Sequence, residues 1–111
     1  MTTIATINTP GVNPGAAVES ILLTVPAGKE YAGTLRVCHS GSPGSGITKV
    51  TVSVVPSGGI TETKDRHVRL HPLSEGELLD VTFDLSAGST IRVESDNGIA
   101  SFNFMGIERT L

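Results

Sequence analysis

Apolar and polar residues alternate with a period of two along most of the chain, and no 3.6-residue period persists for three helical turns. The cleanest case is residues 79–85, where Leu79, Val81, Phe83 and Leu85 fall on one side and Asp80, Thr82 and Asp84 on the other. Residues 47–55 repeat the pattern, with Val50, Val52 and Val54 inward and Thr51 and Ser53 outward. Ile91 and Val93 alternate with Arg92 and Glu94 in the same way. Further strands are predicted near 18–25, 32–39, 61–73 and 99–108, the last with Ala100, Phe102 and Phe104 on one face. In the polar segment 61–73, Val68 and Leu70 alternate with charged neighbours, which predicts a strand with one solvated face. Pro72 lacks an N–H donor and places the later part of that strand at a sheet edge.

The breaks between these runs are as informative as the runs. Pro26-Ala27-Gly28 stops one strand and starts the next, Gly28 supplying the positive φ that closes the turn. Ser86-Ala87-Gly88 repeats the arrangement between Leu85 and Ile91, so two copies of strand, turn and strand predict two sheets with an approximate internal correspondence. Glu75-Gly76-Glu77 and Asp96-Asn97-Gly98 read as turns, and residues 40–46 as a flexible loop of small residues. Strands at spacings of about 8–12 residues predict an all-β fold, a single-domain β-sandwich or jelly roll of about seven to eight short antiparallel strands.

Residues 1–17 stand apart, because they carry no charged side chain and include Pro10-Gly11 and Pro14-Gly15. They read as an extended N-terminal arm before a β-sandwich domain at 18–111. The arm is either a loose terminus or a segment that orders against a neighbouring subunit and buries Ile4, Ile7 and Val12 there.

Composition narrows the function. A chain of 111 residues makes one domain, and such a domain buries roughly 65% of its unfolded surface. A net charge of −3 offers no Lys/Arg cluster to neutralise several phosphates, so nucleic acid is not an expected partner. The single cysteine rules out an internal disulfide and a Cys-based zinc site, and suits a reducing compartment. No basic, apolar leader follows Met1, and no apolar run approaches the ~20 residues of a membrane span. The expectation is a soluble protein that starts from its own methionine and has no membrane partner.

Candidate chemistry is sparse. His67 and His71 share a strand face about 13 Å apart, too far for one metal ion. Cys38 and His39 are neighbours on a strand, point to opposite faces and form no nucleophile–base pair, which leaves Cys38 as a small packing residue. Asp80 and Asp84 are spaced like the histidines. Glu94, Asp96 and Asn97 have a loose calcium-loop composition, against which stands plain turn chemistry on a solvated strand. Tyr31 alone makes no sugar-stacking platform. No catalytic residue, cofactor or metal ligand is expected, and the chain reads as a non-enzyme.

The phrases Thr24-Val25-Pro26-Ala27-Gly28-Lys29, Leu35-Arg36-Val37-Cys38 and Leu85-Ser86-Ala87-Gly88-Ser89-Thr90-Ile91-Arg92-Val93 resemble those of small β-structured virion proteins of tailed bacteriophages. So does the final pattern Phe102-x-Phe104-x-Gly106-x-Glu108. Ser89 departs from the resemblance, since an acidic residue often follows that glycine. So does the glycine-rich 40–46. The resemblance implies a capsid decoration (cement) protein bound to the major capsid protein, or else a tail, baseplate or fibre component. It implies a homo-oligomer, a trimer above all, located in a virion assembled in the host cytoplasm. The expected contacts are Ile4, Ile7 and Val12 of the arm, with Arg66 and Arg69 supplying intersubunit ion pairs. A lectin-like ligand-binding module is the alternative from another class.

Overall fold

The computed structural model describes residues 3–9, 11–42, 44–56 and 67–111, the side chains of 67–70 excepted. Eight strands form among them: β1 (Thr3–Asn8), β2 (Ser20–Thr24), β3 (Lys29–His39), β4 (Thr48–Val55), β5 (His67–Leu73), β6 (Leu78–Leu85), β7 (Thr90–Ser95) and β8 (Ala100–Thr110). They make two four-stranded antiparallel sheets, sheet A in the order β1-β8-β3-β6 and sheet B in the order β2-β7-β4-β5. The pairs β1·β8, β2·β7, β3·β6 and β4·β5 nest one inside the next and alternate between the sheets, as a long hairpin does when it is rolled up. This is the all-β sandwich the alternation predicts, in its jelly-roll form.

The inward residues of the two sheets form one core. Leu35 and Val37 of β3, Val50 and Val52 of β4, Ile91 and Val93 of β7, and Ala100, Phe102 and Phe104 of β8 are all buried. With no tryptophan and few aromatics, branched aliphatics fill most of this space, and Phe102 and Phe104 are its largest members. Leu79, Val81 and Phe83 point inward as predicted but stay half-buried, because β6 is an edge strand.

The two Ala-Gly turns carry the chain from one sheet to the other, side by side. Lys29 N–H donates to Pro26 O (3.3 Å) and Ser89 N–H to Ser86 O (3.2 Å). Gly28 and Gly88 sit at φ 76° and 83° while the preceding alanines have negative φ, so both are type II turns. Backbone bonds between Val25 and the second turn, Val25 N to Ser89 O and Gly88 N to Val25 O (both 2.9 Å), join the arches. β2-turn-β3 crosses from sheet B to sheet A and β6-turn-β7 from A to B, which is the internal correspondence seen in the sequence.

In sheet B, Ser53 has the parity opposite to inward Val52 and Val54, as expected, yet it is buried, because β4 is covered on both sides from Val52 to Val55. In β5 the register is set by buried Leu73 opposite buried Thr48, so His71 lies opposite Val50, and Leu70 and Val68 lie opposite Thr51 and Ser53. β5 is an edge strand, as Pro72 indicated.

Candidate interaction surface

No cavity or cleft forms among the described residues, and none of their His, Cys, Asp and Glu side chains gather in threes as a metal site would require. What the fold offers is surface, and its most distinctive part is the outer face and free edge of sheet A. Residues directly opposite one another across antiparallel strands share a face, so the register identifies the rows. One row runs Asn8, Met105, Thr34, Thr82, and the next runs Thr6, Ile107, Ala32, Asp84. Ile4 lies beyond them, next to Arg109. Met105 (37% exposed), Ile107 (36%) and Ile4 (63%) are large apolar side chains left in solvent on one continuous patch.

Ion pairs border the patch. Arg36 grips Asp80 with two bonds on one side (Nε–Oδ1 3.0 Å, Nη2–Oδ2 3.2 Å), and Arg109 approaches Glu30 at 3.9 Å on the other. The guanidinium of Arg36 holds the Asp80 carboxyl below its ordinary pKa, and Asp80 in turn raises that of Arg36. Both members of each pair are exposed, so they orient the rim and add little to folding stability.

The N-terminal segment expected as an arm is extended, and the structure lays it on β8 of the same chain. Thr3–Asn8 pair in unbroken register with Met105–Thr110. Val12 and Phe102 exchange two backbone bonds (both 2.8 Å), and the Asn13 amide nitrogen donates to the carbonyls of Gly98 and Ala100 (both 2.9 Å). The five predicted contact residues therefore part company. Ile7 is half-buried and packs against the chain's own core, and half-buried Val12 bridges to Phe102. Only Ile4 among the three apolar residues stands free. The backbone of Arg69 lies opposite Val52 in β5, and Arg66 falls outside the described residues. Met105 and Ile107 were missed, although the sequence contained the signal: with Phe102 and Phe104 inward, both must have the opposite parity.

At the open end of the sandwich near Gly28, inward parity brings Lys29, Tyr31 and Glu108 together. Lys29 Nζ donates to Glu108 Oε1 at 2.8 Å, and the Tyr31 ring stacks on Phe104 with centroids 6.5 Å apart. The Lys29 ammonium, and then the Tyr31 hydroxyl, hold the Glu108 carboxyl below the usual carboxylate range. Burial and the same carboxylate push the Tyr31 hydroxyl up.

The opposite end is tied by turn chemistry. His39 Nδ1 accepts from Gly41 N–H (3.2 Å), which makes Nε2 the donor to Gly46 O (2.7 Å). Glu75 accepts the Gly46 N–H at 3.0 Å and is pulled below its ordinary pKa by that bond first, then by the N–H groups of Gly44 and Ser45. His39 thus engages Gly41 and Gly46 at the two ends of the loop expected to be flexible, and Glu75 engages Gly46 as well. Asp96 accepts from Lys49 N–H (2.9 Å), and the Thr48 hydroxyl donates to Asn97 Oδ1 (2.6 Å). Of the three residues of the supposed calcium loop, Asp96 and Asn97 thus tie the β7–β8 turn to β4, while Glu94 lies on β7 opposite Thr51. Cys38 is half-buried on β3, between Leu78 and Ser101 in register.

No family model matches the chain, and no curated protein does. Among solved structures, a chain from Bacillus endospore appendages, described as a family of disulfide-linked pili, superposes with a TM-score of 0.57 at 18% identity. It covers 99% of this chain and 89% of that one. The N-terminal CBM22-1–GH10 part of Clostridium thermocellum endo-1,4-β-D-xylanase 10B, complexed with xylohexaose, matches with a TM-score of 0.39 at 19% identity, over 98% of this chain and 25% of that one. The first likeness is one of fold alone. The second is too distant to bear on function, and neither neighbour is a phage protein.

Proposed function

We propose that the chain is a structural subunit that works by contact, associating with copies of itself and bridging neighbouring subunits of a larger assembly. The observation that carries this reading is that Ile4, Met105 and Ile107 stand exposed near one another on the outer face and edge of sheet A, with an ion pair on either side. Large apolar side chains left in solvent among polar residues, with charges at the rim, are what a protein interface presents. The fold is also found in a chain of the endospore appendages, described as pili. The assembly favoured by the turn phrases of the sequence is a phage virion, with the subunit acting as a decoration protein on the major capsid protein. Its effect there is mass action, since a subunit that binds only the assembled shell stabilises it over the dissociated one. A tail or baseplate position is the runner-up.

The ligand-binding alternative lacks a platform. All four aromatic residues are accounted for: Phe102 and Phe104 are buried, Tyr31 and Phe83 half-buried, and none is free to stack on a sugar. Sedimentation velocity over a concentration series tests the proposal, with species heavier than the 11.5 kDa monomer expected. A monomer at every concentration, combined with a positive glycan array, would replace the assembly subunit with a binding module. Electron microscopy of the intact particle tests the location. Density on the shell between capsid subunits is expected, and density confined to the tail would move the protein there.

A further inference from the structure

Among the described strands each sheet has two edges, and the four differ in what discourages another chain from pairing with them. β2 has only five residues, with a register shift between Ile21 and Leu23. β5 contains Pro72, which cannot donate, and Arg69. β6 bears Asp80 and Asp84 on the outer face of its sheet, and two such strands paired about Thr82 would set carboxylate against carboxylate. β1 has none of these devices. Its six residues contain no charge, no proline and no bulge, and five of the six are exposed.

The ladder also fixes which backbone groups β1 offers. Thr9 N–H donates to Phe104 O (2.9 Å), and Val12 and Phe102 form a mutual pair. The alternation of an antiparallel ladder therefore spends the groups of Thr3, Ala5 and Ile7 on β8 and turns those of Ile4, Thr6 and Asn8 outward. We infer that the occupant of this edge is the β1 strand of a second copy, antiparallel, with Thr6 on the twofold axis. In that register Thr6 faces the partner's Thr6, and Ile4 faces the partner's Asn8. Every outward group finds a partner, in about six backbone hydrogen bonds. Sheet A becomes one eight-stranded sheet across two copies, and the Thr6–Ile107 rows of the two patches join into a single band. No like charges meet in the pairing. The inference rests on the self-associating subunit proposed above and names its contact as twofold.

Register-specific cross-linking tests it. In the full chain carrying Cys38→Ser, Thr6→Cys puts two thiols on residues about 5.5 Å apart between Cα atoms, within disulfide reach. Ile4→Cys separates them by about four residues, roughly 13 Å. Under mild oxidation the Thr6→Cys variant is expected to form disulfide-linked dimers and the Ile4→Cys variant none. Thr6→Lys is expected to weaken association about tenfold or more while leaving the circular dichroism spectrum unchanged. Cross-linking of the two cysteine variants at equal rates overturns the register. Heavy species in sedimentation without any Thr6→Cys cross-link overturn the β1 contact and leave the assembly reading standing. A wild-type monomer at all concentrations overturns both.

Discussion

Gly33 and Gly106 face each other across β3 and β8, and each leaves room for the other's backbone. A Cβ on Gly33 would overlap Met105 O and stand 2.7 Å from the Gly106 Cα, and a Cβ on Gly106 would overlap Ala32 O. In most strands alanine is more stable than glycine by about 0.5–1 kcal/mol. Here the sign reverses: Gly33→Ala and Gly106→Ala are each expected to destabilise the fold by about 2 kcal/mol or more, read from the midpoint of denaturant unfolding. A gain in stability for either would mean that the strands separate there at no cost. The Lys29–Glu108–Tyr31 cluster sets a pH dependence. The folded state holds the Glu108 carboxyl below its unfolded value of about 4.5, so between the two values the unfolded chain binds more protons. The stabilisation is complete above that range and is lost as pH falls through the folded value. Glu75, Glu77 and Asp80 are lowered too and act in the same direction. Thermal unfolding followed from pH 7 to pH 3 is expected to show a falling midpoint below about pH 4.5, and Glu108→Gln to remove part of the fall. A Gln variant as acid-sensitive as the wild type would assign the loss to the other carboxylates.

The strands and the arches between them were the most legible parts of the chain. Leu79 to Leu85 alternates without a break, and the two Ala-Gly turns announce both their geometry and their kinship. Gly28 has nothing within 4 Å of a built Cβ, so its requirement is purely conformational. Gly28→Ala is expected to cost about 1 kcal/mol and Gly28→Asn less, since asparagine tolerates positive φ, and equal losses in chemical denaturation would count against a type II turn. Legibility failed where it needed a partner strand. The register of β5 is one such case, since the pairing of Leu73 with Thr48 is visible only once the sheet has formed. The glycine pair and the Lys29–Glu108 contact join residues distant in sequence, and a single sequence does not display such pairings. Of the candidate surface, Ile4 was legible as an apolar residue in an uncharged segment. Met105 and Ile107 became significant only when the register placed them beside it.

At the scale of the molecule, the nested pairing β1·β8, β2·β7, β3·β6, β4·β5 has a consequence in time. β4·β5 and β3·β6 close over the shortest stretches of chain, and β1·β8 brings together almost the two ends of the sequence. Loop-closure entropy disfavours early formation of the outermost pair, so the roll is expected to wind from the inside outward with β1 docking last. It also buries little, with five of its six residues exposed, and is therefore expected to peel away early. Native-state hydrogen exchange is expected to show the amides of Ala5 and Ile7 opening well below the global unfolding free energy, while those of Val37 and Val93 open only with it. Uniform protection across the four would mean that the roll opens as one unit. A strand that is last in and first out spends the longest time as free backbone, so if β1 is the twofold contact proposed above, the rate of association is tied to the order of folding.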